Sequence, residues 1–416
     1  MKHLYYGWVM VLLAIFILPA QGLAFYSFGI FLRPLTLEFN WERGALAAAF
    51  SMMLLVDGSL AILAGRLADK YGPRPLLTVN GLLTGTGFLL LSQVSSLGQV
   101  YLIWGIIMGV AFSCGFIPIT SAIPRWFTKK KGMAMGLTVT GYGLGGIISP
   151  PLAQWLISSY GWRQAYVILG LITLIIVIPL AQFMKHSPQR MGLKPYGGNG
   201  TITRDDKQSL ASAGEGLSFI QVIKTGHFWM FGFILFGYMF SLQTIIVHIA
   251  PHAMDIGILA MVAASIISVI GGASLIGRFS TGFISDKVGA RRVLTACIAM
   301  LTLALIWVLF AKEIWMFYVF AVVFGIAYGG VVPMFTLIPA ELFGLKFLGI
   351  ISAATMLLGT IGGAIGAPIT GSIFDATGSY NLGLLICVII GALAIILSLI
   401  LLKTKEWRGG DQIRLS

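Results

Sequence analysis

Polarity along this chain varies on one dominant scale. Long runs that are apolar on every face are each closed by a short polar stretch. Twelve runs stand out, at 7–32, 44–66, 75–96, 99–122, 132–158, 163–184, 227–252, 257–284, 291–311, 314–340, 347–374 and 380–403. A bilayer core takes ~20 mostly apolar residues per helical crossing, so each run predicts one transmembrane helix. A membrane barrel would instead show ~10-residue segments of alternating polarity, and the sequence has none. The first run is too long for a cleavable signal and lacks a small-residue cleavage site, so it is expected to remain as the first span.

The stretch between the sixth and seventh runs reads differently. "KHSPQRMGLKPYGGNGTITRDDKQSLASAGEGLS" is rich in Gly, Ser and charge and carries no apolar period. It predicts a cytoplasmic linker over 185–226, with a short surface helix near its end. The expected organisation is an N-terminal six-helix bundle over 1–184, the linker, and a C-terminal six-helix bundle with a short cytoplasmic tail over 227–416. An internal repeat supports this division. "GRLADKYGPR" (Gly65 to Arg74) follows the second run and "GFISDKVGAR" (Gly282 to Arg291) follows the eighth. Gly, Asp, Lys, Gly and Arg coincide at an offset of 217, which also maps Pro151 onto Pro368 and Gly161 onto Gly378. Recurrence at one offset after corresponding helices indicates a duplicated unit, here two pseudo-symmetric six-helix bundles.

Composition agrees with the pattern. The chain is 58% hydrophobic and only 10% charged, more apolar surface than a water-soluble interior can bury. Charge adds orientation. With the N-terminus inside, 22 of the 27 Lys and Arg fall on the inner side. Only Arg33, Arg43, Arg163 and Lys312 fall outside, and Arg278 lies within a span. This is the positive-inside distribution, and it predicts a multi-pass protein of the cell (inner) membrane with both termini cytoplasmic. It also accounts for the net charge of +13 without any nucleic-acid partner. Cys114, Cys297 and Cys387 all fall in predicted spans, so no disulfide framework is implied.

The repeated loop resembles the signature loop of the major facilitator superfamily, which follows spans two and eight there. The resemblance covers the whole chain. "YYGWVMV" (Tyr5 to Val11), "YSFGIFLRPL" (Tyr26 to Leu35) and "RWFTKKKGMAMGLTVTGYGLGG" (Arg125 to Gly146) are similar to signatures of proton-coupled monocarboxylate transporters and the related oxalate/formate antiporters. In those families an arginine of the eighth span binds the substrate carboxylate, and Arg278 matches it in position.

The residues make their own case for Arg278. A charged side chain at the bilayer centre costs ~2.5–3.5 kcal/mol on insertion scales. Arg278 stands eight residues before Asp286, about 12 Å from the cytoplasmic turn at ~1.5 Å per residue. Its helical face is Gly271, Ser274, Gly282 and Ser285, small and polar, which suits protein or water rather than lipid. A guanidinium grips a carboxylate through two parallel hydrogen bonds. The competing reading is a structural arginine satisfied by backbone carbonyls.

Acids are scarce in the spans. Asp57 lies inside the second, and Asp255 closes the seventh with His248 two turns before it. These three are the proton-coupling candidates, because histidine titrates near neutral pH and the resembled families use an intramembrane acid. In those families the acid stands one turn before the arginine, where this chain has Ser274. Two further departures concern cations. Tyr26 stands where animal monocarboxylate transporters carry a lysine, and the eleventh run holds no lysine or arginine, with Lys346 only at its start. One buried cation suits one carboxylate, because a dianion would stay half unpaired.

The resemblance implies that spans one, four, seven and ten line a cavity. That nominates Tyr26, Phe28, Ser113, Phe116, Tyr328 and Phe335 as substrate-binding beside Arg278, with His248. Helical packing alone also explains such aromatics, although Tyr328 and Phe335 are seven apart and share a face. The glycine runs Thr140 to Gly146 and Gly359 to Pro368 suit close helix crossings, not phosphate loops. No nucleotide cassette, metal cluster or catalytic triad is present, so no enzyme activity and no cofactor is expected. The expected function is a symporter of small monocarboxylates such as L-lactate or pyruvate with a proton. The alternatives are an oxalate/formate-type antiporter, a sugar carrier, disfavoured by few Asn and Gln in the spans, and a non-transporting receptor or scaffold.

Overall fold

The computed structural model describes residues 5–197, 219–344 and 347–403. Lys2, Lys346, residues 198–218 of the linker and the tail from 404 lie outside the described residues. The described residues form twelve long helical segments. These are α1 (Tyr6–Phe39), α2 (Arg43–Tyr71), α3 (Pro73–Leu91), α4 (Leu97–Trp126), α5 (Lys131–Tyr160) and α6 (Trp162–Phe183). Then follow α7 (Gly226–Asp255), α8 (Ala260–Val288), α9 (Ala290–Leu309), α10 (Ile314–Phe343), α11 (Leu348–Thr377) and α12 (Asn381–Leu402). Ten of them are by length and composition apolar enough to cross a bilayer. The exceptions, α3 and α5, are diluted by Gly, Thr, Ser and Asn, residues that let helices approach closely. The chain is a multi-pass, all-α membrane protein, as the apolar pattern predicts.

Several spans run past the predicted ends. Proline does not stop them: α1 continues through Pro19 and Pro34, and α7 through Pro251. A bilayer leaves a helix no alternative for its backbone groups, so the helix continues. Among the described linker residues a short helix, Phe219–Ile223, lies at the position expected for a surface helix.

The repeat is visible in the backbone. Gly72 and Gly289 sit at φ 88° and 92°, and Gly161 and Gly378 at 81° and 70°. Each pair is 217 apart, and each glycine ends a helix in a conformation that side chains disfavour. The amides match as well. Gly72 donates to the Ala68 carbonyl and Gly289 to Ser285, while Gly161 donates to Ile157 and Gly378 to Phe374.

Two breaks, absent from the predicted elements, also recur. α4 is interrupted at Cys114–Gly115 and α10 at Val332–Pro333. A break strands backbone carbonyls inside the bundle, and each must find a partner. In α4 the Gln21 side-chain amide donates to the Phe112 carbonyl (2.9 Å) and Asn80 to Ala111 (2.7 Å). In α10 the Tyr238 hydroxyl donates to the Tyr328 carbonyl (3.0 Å). Tyr238 is the residue 217 positions after Gln21, and Tyr328 is 217 after Ala111. The same position on the first helix of each half therefore supports the same break with different chemistry.

The two copies of the signature loop are held by ion pairs of opposite sense. Asp69 in the first loop receives Arg125 from the end of α4 (2.5 Å), and Arg125 also meets His186 (3.0 Å). In the second copy the base is on the loop: Arg291 pairs with Glu341 of α10 (3.4 Å).

Packing groups the chain into two compact units. One comprises Met1–Asn199, Ile245–Gly272 and Ala367–Tyr380; the other comprises Gly200–Thr244, Ala273–Gly366 and Asn381–Ser416. The first unit thus contains α1–α6 together with the ends of α7, α8 and α11 farthest from the signature loops. Glycines allow that union. A side chain at Gly29 would strike the Val247 carbonyl, one at Gly146 would strike Gly271, and one at Gly371 would strike Gly44.

Candidate functional site

Arg278 lies on α8, partly buried, beyond a stretch of small residues that includes the fully buried Ser274. Its Nη2 donates to the Tyr328 hydroxyl at 3.1 Å, and its guanidinium carbon is 5.6 Å from the centre of that ring. Tyr328 is 6% exposed and belongs to α10 just before the break. That break falls between Tyr328 and Phe335, and both meet Tyr238 of α7. Its hydroxyl donates to the Tyr328 carbonyl, and its ring meets Phe335 edge-on at 5.9 Å. Sequence reasoning missed Tyr238. The only available signal was the 217 offset from Gln21, a polar residue inside the first span.

This cluster in the second unit has one chemical capability. It presents a cation flanked by aromatic rings, with a phenol hydroxyl in hydrogen-bond reach of the guanidinium. That set fits a small anion with an apolar body.

The remaining wall candidates belong to the first unit. Tyr26 is fully buried, with its ring near Phe25 (5.1 Å) and Tyr142 (5.8 Å). Phe116, just past the α4 break, is 37% exposed and meets the same Tyr142 edge-on at 6.1 Å. Tyr142 is thus shared by both and was not singled out. Ser113 is buried and gives its hydroxyl to the Val110 carbonyl (2.8 Å), local helix chemistry at the break. Phe28 packs on Phe50 and Trp104 inside the first unit, 5.0 and 4.8 Å between ring centres. Of the four, Tyr26 and Phe116 come together, whereas Phe28 is core.

The proton candidates separate. Asp57 is partly buried in mid-α2. Asp255 and His248 lie together at the far end of α7, the helix running unbroken between them. Asp255 takes both Nη atoms of Arg43, Nη1 to Oδ2 at 2.5 Å and Nη2 to Oδ1 at 3.0 Å. Arg43 Nη1 also donates to the Tyr380 hydroxyl at 2.7 Å, and its guanidinium stacks 3.9 Å over the Phe374 ring. Asp375 accepts the first two amides of α2, from Arg43 (3.0 Å) and Gly44 (2.8 Å), so an acid of α11 caps a helix whose own N-cap residue makes no side-chain bond. His248 Nε2 is 2.8 Å from the Ala367 carbonyl, and its ring lies 5.2 Å from Tyr380. Arg43, a mere outer cation in the sequence, is therefore the centre of a second polar cluster. Among the described residues no group of His, Cys, Asp and Glu is arranged to hold a metal.

Comparison with known proteins places this architecture. A sequence profile of the Major Facilitator Superfamily matches residues 11–367 and, in a second match, 273–412. The chain belongs to that superfamily and is a transporter of its class. Monocarboxylate transporter 13 of Rattus norvegicus is 27% identical over 390 residues, covering 90% of this chain and 84% of the relative. Monocarboxylate transporter 11 of Homo sapiens is 28% identical over 402 residues, covering 92% and 80%. The uncharacterized MFS-type transporter YcxA of Bacillus subtilis is 23% identical, covering 91% of each chain. Among solved structures, a bacterial homolog of the human lysosomal transporter Spinster, inward-facing and unoccupied, superposes with a TM-score of 0.74 at 17% identity. It covers 98% of this chain and 99% of that one, a likeness of fold.

Proposed function

We propose that this transporter moves a small monocarboxylate such as L-lactate or pyruvate together with a proton, by alternating access. The observation that carries the reading is Arg278 held on α8 by Tyr328, with Tyr238 and Phe335 beside it. The guanidinium would take the carboxylate through its fork, and the aromatic side chains would take the short carbon body. The names of the relatives support the substrate class. The lack of any lysine or arginine in α11 favours one carboxylate over two. The signature-loop end is assigned to the cytoplasm of a cell (inner) membrane on the charge distribution, with both termini there and the Arg43 end outside. No covalent bond within the substrate is made or broken in this cycle. The protein supplies a site and two access states.

Proteoliposomes carrying an inward proton gradient test the reading. Labelled lactate should accumulate, and dissipating the gradient should stop the accumulation. Uptake that ignores the gradient but requires internal substrate would replace the symport reading with anion antiport. Absence of transport for every short monocarboxylate, with no thermal shift by any of them, would remove the substrate class.

A further inference from the structure

The side chains that meet the break in α4 use only half of their hydrogen-bonding capacity on it. Gln21 of α1 and Asn80 of α3 each donate an amide N–H to a carbonyl before the break, those of Phe112 and Ala111. A carbonyl accepts only from the N–H side of an amide, so the oxygen of each side chain is left for another partner. Both side chains stand over Gly115, where a Cβ would strike the two of them. Gln21 Oε1 and Asn80 Oδ1 are buried and unmatched within the protein. So is the hydroxyl of Thr84, one turn further along the same face of α3. Buried polar atoms are normally satisfied, and three oxygens left over beside one break point to a ligand that accepts them all.

A carboxylate stands beside them. Asp57 lies in mid-α2 on the side that packs on α4. Its neighbour Val56 lies against Gly109, Ala64 and Ala68 pack with Cys114, and the Asp57 carboxylate acts electrostatically on the Cys114 thiol. Among the described residues Asp57 has no ion pair and no hydrogen bond. It is only partly buried, which leaves a way in. The carbonyl end of the first part of α4 adds partial negative charge at the same place. The repeat shows the contrast. The break in α10 has a built-in cation, because Arg278 donates to Tyr328, the residue equivalent to Ala111. The residue equivalent to Arg278 is Ala61, and the residue equivalent to Asp57 is Ser274. The same break thus stands beside a fixed cation in one half and beside a fixed anion in the other.

We propose that Asp57, Gln21, Asn80 and Thr84 form a site for one alkali cation at the break in α4. Hard cations take oxygen ligands, and a carboxylate, two amide carbonyls and a hydroxyl are ligands of that kind. Broken membrane helices present their carbonyl ends to such ions. One carboxylate balances one charge. A divalent ion would keep half of its charge uncompensated inside the bilayer. The bound ion ties α1, α2 and α3 to α4 at the point where α4 has lost its own hydrogen bonds, so it stabilises the first unit. The site does not involve the Arg278 cluster and its tests need no substrate, so its failure leaves the monocarboxylate reading as it stands.

Thermal unfolding of the purified full chain in sodium, potassium or choline chloride at equal ionic strength tests the site. One alkali ion should raise the melting temperature by about 2 °C or more over choline, and the larger of the two shifts tells sodium from potassium. Equal melting in the three salts would overturn the proposal and leave the oxygens to water. A larger shift by magnesium or calcium would overturn the single charge. Asp57→Asn keeps the shape and loses the charge, so the alkali shift should disappear; a shift equal to the parent's places the ion elsewhere and refutes the site. If Asp57→Asn does not fold, Cys114 reports on the break in a chain whose buried Cys297 and Cys387 are replaced by alanine. Its alkylation by N-ethylmaleimide should slow about fivefold or more when the stabilising alkali ion replaces choline, the size of a typical coupling between sites. An unchanged rate would sink the proposal.

Discussion

Two arginines sit in the polar interior of this transporter, and their surroundings differ. Arg43 is dressed by the protein on every side: a carboxylate on both Nη atoms, a tyrosine hydroxyl on one, and a phenyl ring beneath. Arg278 rests on the neutral hydroxyl of Tyr328, and it is the more exposed of the two. An arginine bound to a carboxylate of its own chain fastens helices. For Arg278 the proposed partner is the carboxylate of the incoming anion. The difference shows why position alone does not assign a role: Arg278 was conspicuous in the sequence as a cation inside a span, and Arg43 was unremarkable as a cation near a loop.

The sharpest way to break this comparison is at Arg278. Arg278→Lys keeps the charge and loses the fork. The expected loss in kcat/KM for lactate is roughly 100-fold, since charge-assisted hydrogen bonds are worth ~1.5–3 kcal/mol each. Thermal unfolding should stay near the parent's, and near-normal transport would take Arg278 out of the site. Next comes the partner of the other arginine. Asp255→Asn should abolish gradient-driven accumulation while exchange at equal concentrations persists. If Asp57→Asn shows that separation and Asp255→Asn accumulates normally, the proton travels on α2.

A smaller effect sharpens the Arg278 side. Tyr238→Phe leaves the ring against Phe335 but removes the hydroxyl from the Tyr328 carbonyl at the break in α10. A buried acceptor left unmet costs ~1–3 kcal/mol, so the melting temperature should drop and KM for lactate should rise about fivefold as Tyr328 loosens under Arg278. A raised KM without any change in stability would place Tyr238 in the site itself rather than behind it. The smallest effect belongs to the repeat of Asp255. Both Glu38 and Arg163 are over two-fifths exposed, and exposed pairs contribute ~0–1 kcal/mol. Glu38→Gln should lower stability by less than about 1 kcal/mol and leave the accumulation-to-exchange ratio at the parent value. A changed ratio would mean that the two acids are not distinguished by their partners.

Much of this was legible before any coordinates. Apolar runs show spans because lipid tolerates little else, and the loops at Gly65 to Arg74 and Gly282 to Arg291 show the duplication because a tight turn needs glycine at the same place twice. Arg278 was visible because an apolar context exposes a charge. What stayed hidden depended on distant partners. The breaks in α4 and α10 carry no strong local signal: Pro118 and Pro333 flank them, yet Pro34 and Pro251 lie in helices that continue. The break between Tyr328 and Phe335 was not foreseen, and neither was the packing of Phe28 on Phe50 and Trp104.

The sequence by itself determined the multi-pass helical class, the internal repeat and the family, because the cost of exposing polar groups to lipid acts on each residue where it stands. Only the tertiary structure decided that Gln21 and Tyr238 support matching breaks, that Arg43 belongs with Asp255 and not with a loop, and that Glu38 and Asp255, equivalent in the repeat, have different partners. Those outcomes depend on hydrogen bonds between residues tens to hundreds of positions apart: 212 from Arg43 to Asp255 and 90 from Tyr238 to Tyr328. Such bonds form only when packed helices bring donors and acceptors within ~3 Å, a distance that no local pattern encodes.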